Sequence, residues 1–157
     1  MPEPPHKLRR HDRAISQNEA LELLNQAEYG VLSTVSKEAQ PYGVPLNFSV
    51  DDGSIYFHCA LAGQKIDHIA DNRKVSFCIV GKTQLLPEKF STKYESVIVS
   101  GTAEEVFAAE KLTALATIIQ KYSPEYLEKG EKYIENSHQE TRVFKINISH
   151  LTGKSRK

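Results

Sequence analysis

A chain of 157 residues can build one hydrophobic core and has no room for a second full domain. Twenty Lys and Arg against twenty Asp and Glu leave a formal net charge of zero, so the chain-wide positive field that draws proteins onto nucleic acid is missing. At 39% hydrophobic and 25% charged residues, the composition is that of a folded globular domain and not of a disordered chain.

Residues 1–13 hold three prolines and four basic residues with almost nothing apolar, and read as an arm laid over the domain or a partner subunit, with little regular structure. They lack the apolar run of a signal peptide, and no stretch approaches the roughly 20 apolar residues of a membrane span, so a cytoplasmic protein is expected. Ser16 followed by Glu19 is a capping-box pattern, and the apolar residues from Ala20 to Ala27 recur at helical spacing, which predicts a helix over 16–26. Strands are predicted over 30–35, 41–50 and 54–58, separated by the polar turn 36–40 and by Asp51-Asp52-Gly53. Alternation in the third puts Ile55 and Phe57 on one face and Tyr56 and His58 on the other. A short helix over 64–72 follows, then strands over 75–80 and 94–106, the second bent or bulged at Gly101. Two helices over 108–121 and 125–136 form a hairpin, with Ser123-Pro124 capping the second, and a last strand covers 141–148. The domain is thus expected over 14–154, with 155–157 a basic tail. Six short strands with helices at the start, middle and end predict a mainly β protein, an antiparallel barrel with peripheral helices, in preference to alternating βαβ units.

Chemistry has few places to sit. After the strand ending at His58 comes a small-residue loop with Gly63, then a helix with Lys65 in its first turn, where a cation is locally unfavourable unless an anion is present. A phosphate fits that position; so does a reading of Lys65 as a solvated surface residue. His58 and Cys59 resemble metal ligands, but adjacent strand residues point to opposite faces and no second ligand cluster has the spacing to complete a site, so no metal is expected. His58 then reads as a strand-end histidine bonded to nearby backbone, Cys59 has no evident general base, and Cys78 reads as core. Pro45 within a strand cannot donate to a ladder, so that strand is irregular or at an edge, with backbone groups free for a planar heteroaromatic ligand. No Gly-x-Gly-x-x-Gly, P-loop or Gly-x-Ser-x-Gly pattern occurs, which argues against dinucleotide, nucleoside triphosphate and serine-hydrolase sites.

The order of these stretches carries a resemblance. Gly30-Val-Leu-Ser-Thr, Pro41-Tyr-Gly-Val-Pro-Leu-Asn-Phe, Ile55-Tyr-Phe-His-Cys-Ala with Gly63-Gln-Lys-Ile-Asp, Val75-Ser-Phe-Cys, Tyr94-Glu-Ser-Val-Ile-Val-Ser-Gly, Lys121-Tyr-Ser-Pro and Leu151-Thr-Gly-Lys span residues 9–154. Together the sequence resembles the pyridoxamine 5′-phosphate oxidase-like, FMN-binding split-barrel superfamily, and within it the 5-nitroimidazole-resistance type of flavoprotein. The resemblance implies a six-stranded split barrel, a homodimer, and FMN in a groove at each subunit interface. It places Lys65 and the loop from Cys59 to Gly63 at the phosphate, where the oxidases have Arg-Lys and this chain has Gln64-Lys65, one charge fewer. It places Val44, Pro45, Leu46 and Asn47 along the isoalloxazine ring, Ser96 where the oxidases use a glutamine near the flavin, and His58 beside the flavin as the candidate catalytic residue. The oxidases' C-terminal substrate-binding segment has no counterpart in residues 151–157, which counts against pyridoxamine phosphate oxidation. The function expected is FMN-dependent reduction of small electron-poor compounds such as nitroaromatics, with a reduced nicotinamide as a candidate donor; the alternative is a non-catalytic flavin- or haem-binding module for sensing or sequestration.

Overall fold

The computed structural model describes residues 6–157; the three prolines of the predicted arm fall among the first five residues, outside the described ones. The capping box at Ser16 forms. Its hydroxyl accepts a hydrogen bond from the Glu19 N–H at 3.2 Å, the Glu19 carboxylate accepts one from the Ser16 N–H at 2.9 Å, and α1 (Gln17–Gln26) begins there. Ala20 and Leu24 are its buried face. Ahead of it, His11–Arg13 forms a 3-10 turn and Ala14 bridges Lys154, so this end of the arm is more ordered than its composition predicts.

The remaining elements are β1 (Gly30–Val35), β2 (Pro41–Leu46), β3 (Ser49–Asp51), β4 (Ser54–Cys59), α2 (Gln64–Asp71), β5 (Lys74–Leu86), β6 (Ser91–Val106), α3 (Ala108–Tyr122), α4 (Leu127–Ser137) and β7 (Arg142–Arg156). The strands form one antiparallel sheet in the order β2-β1-β5-β6-β7-β4-β3. Seven strands stand where six are expected, because the stretch 41–50 is two strands: β2 pairs with β1 and β3 with β4. Between them Asn47 and Phe48 turn the chain so that Phe48 is fully buried, its ring edge-on to Phe77 at 4.8 Å between centroids. The two edge strands of the sheet are therefore joined by two residues and yet share no ladder, which curls the sheet into a barrel with an open seam. Pro45 lies on the edge strand that its missing N–H requires.

Two other boundaries differ from expectation. The final strand runs on to Arg156, because β6 supplies partners as far as Tyr94↔Arg156, so the polar stretch after Ile148 is strand and not tail. Ser123 heads a 3-10 turn, Pro124–Tyr126, without a side-chain cap, and α4 starts after Tyr126, equally uncapped.

Two hydrophobic clusters share the sheet. Ile55, Phe57, Phe77, Val97, Val99 and Ile146 fill the barrel, while Tyr56, Val106, Ala114, Leu115 and Val143 lie between the outer face of the sheet and the α3–α4 hairpin. None of the described helices is long and apolar enough to cross a membrane.

The seam is closed by the end of α3. The Tyr122 hydroxyl accepts from the Phe48 N–H at 3.0 Å and donates to the Glu28 carbonyl at 2.6 Å. Beside it the Lys121 ammonium lies 3.8 Å from the centre of the Phe48 ring, shielded from solvent and with no hydrogen-bond acceptor among the described residues. Burial pushes its pKa down from 10.5 to about 8. The folded-state pKa is the depressed one, so below pH 8 the protonated amine costs the fold free energy, and wild-type stability rises as pH climbs from about 8 to 10.5. Lys121→Met, of similar volume and no charge, is expected to stabilise the protein by about 2 kcal/mol at pH 7. Denaturation at pH 7 and at pH 10.5 checks this: the advantage of the variant should shrink at the higher pH.

Candidate functional site

The strand alternation of β4 holds: Ile55, Phe57 and Cys59 face the barrel, and Tyr56 and His58 face the helical hairpin. The Tyr56 hydroxyl donates to Glu110 at 2.8 Å, and Lys145 reaches the same carboxylate oxygen at 3.0 Å, which fixes α3 against the strand. His58 borders a small cavity of about 90 Å³ whose walls include Leu115, Ile118 and Ile134. The side chain keeps part of its surface in solvent; partial desolvation first, and the Lys65 ammonium second, hold its pKa below the usual histidine value. His58 is thus mostly neutral at pH 7, within the field of Lys65. No backbone group takes a hydrogen bond from its side chain among the described residues, so the strand-end reading lacks its partner.

Cys59 is buried behind the same loop. Burial raises its thiol pKa, opposed by the positive charges of Lys65 and Arg142, and it has no histidine acting as its base. Cys78 is half-buried and outward, where a core position is expected.

The loop from Ala60 to Gly63 is tied down by a residue that the sequence pattern does not reveal. Arg142, directly across the ladder from Cys59, donates to the Leu61 carbonyl at 3.3 Å and grips Glu105 with two further bonds of 2.9 and 2.7 Å. This bidentate pair holds the Glu105 carboxyl below its ordinary pKa. Gly63 then starts α2 in an extended conformation, with open space where a side chain would stand and no side chain capping the helix. Its carbonyl accepts from the Ile66 and Asp67 N–H groups, which leaves the N–H groups of Gln64 and Lys65 as the orphan donors of the first turn.

α2 in turn is locked onto the start of β2. His68, one turn after Lys65, is buried with its Nδ1 2.8 Å from the Thr34 hydroxyl and its ring edge-on to Tyr42 at 5.7 Å. These contacts seat the middle of α2 on β1 and the start of β2, while the Lys65 ammonium at its first turn lies within the field of His58 and Cys59 at the end of β4. His68 and Tyr42 are positioning residues that sequence reasoning missed; the i, i+3 spacing of Lys65 and His68 was their only signal.

On β2, Val44 and Leu46 pack inward and Pro45 is exposed on the outer face; Asn47, just past the strand, is exposed as well. The ladder carries Pro45 across Val31 and Cys78 to Ile98, two residues from Ser96, so Pro45 and Ser96 belong to one sheet surface. His58, Cys59, Gly63 and Lys65 form a separate group. Cys59 pairs with Arg142 and Ser96 with Lys154, levels twelve residues apart along β7, or about 40 Å of strand. One protomer brings Lys65 to His58 and Cys59 and does not bring Ser96 to them. Among the described residues no three His, Cys, Asp or Glu side chains are grouped to hold a metal ion.

A curled antiparallel sheet whose edge strands are joined but unpaired, with an uncapped helix entering beside one edge, defines a split β-barrel. The family model described as pyridoxamine 5′-phosphate oxidase matches residues 16–155, and the chain belongs to that family. Solved structures share the fold. A candidate 5-nitroimidazole antibiotic resistance protein from Bacteroides thetaiotaomicron superposes with a TM-score of 0.73 at 24% identity, covering 90% of this chain and 85% of that one. A FAD-binding protein from Mesorhizobium loti gives 0.67 at 24% identity over 92% and 98% of the two chains. A flavocytochrome from Azotobacter vinelandii gives 0.80 at 20% identity over 97% and 73%. No curated protein matches the sequence.

Proposed function

We propose that the protein is an FMN-binding flavoprotein that works as a homodimer and reduces small electron-poor organic compounds such as nitroaromatics and nitroimidazoles, with a reduced nicotinamide as donor. The observation that carries this reading is the uncapped first turn of α2, where the free N–H groups of Gln64 and Lys65 and the Lys65 side chain stand together at the end of the loop from β4. Such a turn suits a phosphate monoester, because the N–H groups and the ammonium all favour the dianion. The family match and the flavin-binding neighbours support the flavin itself. Lys65 and the loop ending at Gly63 would hold the phosphate, and the exposed backbone of β2 from Val44 to Asn47 would lie along the ring.

Bound FMN supplies hydride and electron transfer. The residues of this chain orient it. Arg142 holds the loop, His68 fixes the tilt of α2, and His58 stands within the field of Lys65, able to hold or give a proton at its imidazole. Ser96, remote from His58 along the strands of one chain, would join the site from a second copy. Val80 and Ile98, 59% and 50% exposed on the same sheet face as Ser96, give that second copy an apolar surface to cover.

Lys65→Ala removes one charge-assisted contact and is expected to weaken FMN binding roughly ten- to hundredfold, about 1.5 to 3 kcal/mol, with riboflavin binding unchanged. Fluorescence titration of both ligands measures it, and equal FMN curves for wild type and variant would remove the phosphate site. Turnover of a nitroimidazole with a reduced nicotinamide distinguishes the reductase from a non-catalytic flavin carrier. Light scattering on the flavin-loaded protein tests the dimer, and a monomer mass would sink the shared site.

A further inference from the structure

The Lys121-Tyr122 pair at the seam has a use for only one of its members. Tyr122 spends its hydroxyl on Phe48 and Glu28, whereas the Lys121 amine is enclosed by the ring faces of Phe48 and Tyr122, at 3.8 and 5.2 Å from their centres, with no acceptor in reach. The same lysine borders a cavity of about 490 Å³ at the mouth of the seam, with Gln26 at the end of α1 and Asn47 at the end of β2 on its walls. We propose that Lys121 is a nucleophilic amine that condenses with small carbonyl compounds, aldehydes or 2-oxo acids, entering this cavity. The proposal does not rest on the flavin reading.

Three features point the same way. A buried lysine without a carboxylate partner is poorly stabilised as a cation, which is how proteins make amines reactive. Glu28, Tyr29 and Tyr122 are the titratable groups that share the cavity, and none of them holds the amine in its charged form: burial alone sets its pKa, about 8. Roughly a tenth of the amine is then free base at pH 7, some three-hundredfold more than for an exposed lysine at 10.5. The side-chain amides of Gln26 and Asn47, exposed on the walls of this open cavity, supply N–H donors for a carbonyl oxygen.

The step balances without any oxidant or reductant. The Nζ lone pair attacks the carbonyl carbon and forms the C–N bond while the C=O π pair moves to oxygen, which takes up a proton. The nitrogen loses a proton, the hydroxyl leaves with another as water, and a C=N bond remains. In the resting structure the amine is shielded from solvent, so condensation requires the Lys121 side chain to swing off the Phe48 ring into the cavity. The competing account, in which Lys121 is only a packing residue whose charge rests on that ring, predicts an amine that stays shielded from reagents.

Trapping with glyoxylate and cyanoborohydride on the full-length protein separates the two. Any imine is reduced to a stable secondary amine, read by intact mass and located by peptide mapping. Lys121 is expected to be modified at least tenfold faster than any exposed lysine at pH 7, with a rate that levels off near pH 8. Lys121→Arg, which keeps the charge but offers no comparable nucleophile, should abolish the fast phase and leave the slow labelling of other lysines untouched. Labelling of Lys121 no faster than that of exposed lysines, or a fast phase that survives in the arginine variant, overturns the proposal. Since the readout needs neither FMN nor turnover, its failure leaves the flavin reading standing, and loss of FMN binding in Lys65→Ala says nothing about Lys121.

Discussion

His58→Ala is expected to retain FMN and to reduce a nitroimidazole about a hundredfold more slowly than the wild type. The expectation follows from position and charge together. His58 is the last outward residue of β4 before the loop that Arg142 anchors, and it feels the Lys65 ammonium that would meet the phosphate. Its pKa is depressed, so the acid form is scarce at pH 7 and grows as the solution is made more acidic. If His58 donates a proton to the substrate, wild-type kcat rises as pH falls from neutral and goes on rising below the usual histidine range. The variant should lose that rise as well as the rate. A variant with full activity and an unchanged pH profile would return His58 to a structural part in the cavity under α3 and α4, whereas loss of the flavin would move its role from chemistry to binding.

Gly101→Ala should destabilise the fold by about 3 kcal/mol. Here β6 and β7 fall out of register, with Ser100 opposite His150 and Gly101 opposite Ile148, and the backbone of β7 crowds in. A Cβ at Gly101 would lie closer than 3.0 Å to the carbonyl oxygen of Asn147, a backbone atom in the longest ladder of the sheet and one that cannot rotate aside. The midpoint of urea unfolding should drop with the slope unchanged. Gly63→Ala is the matched control, since nothing stands within 4 Å of its Cβ and the extended backbone there suits any residue. A Gly101→Ala midpoint equal to that of the control would mean that the ladder relaxes at this bulge.

What the sequence disclosed and what it hid divide along the range of the forces involved. The capping box at Ser16, the face alternation around Phe57 and His58, and the irregularity at Gly101 depend on neighbours a few residues away, and all three are present. The full length of β7 was hidden because Leu151-Thr-Gly-Lys-Ser-Arg has the polarity of a tail and becomes strand only when β6 offers its ladder. The break at Asn47 was hidden for a similar reason: it puts Phe48 against Phe77, 29 residues away in the chain. Among the candidate site residues, Lys65 and Gly63 were legible as a loop-to-helix pattern. Arg142 was unremarkable in the sequence until the ladder set it across from Cys59, and Lys121 was one residue of a motif until the fold buried its amine.

The seam between β2 and β3 sets the order in which this barrel should breathe. Elsewhere the sheet opens only by breaking a ladder, but here three hydrogen-bonded groups, the Tyr122 hydroxyl, the Phe48 N–H and the Glu28 carbonyl, stand in for one. Local opening at such a point costs far less than global unfolding, so the Phe48 amide should exchange its hydrogen for deuterium well before the buried amides of β6. Tyr122→Phe would shorten that protection time further while leaving the β6 amides as slow as before. The barrel thus has a built-in gate, one phenol wide, through which the shielded Lys121 amine and the Phe48 ring communicate with solvent on a timescale that can be measured independently of any ligand.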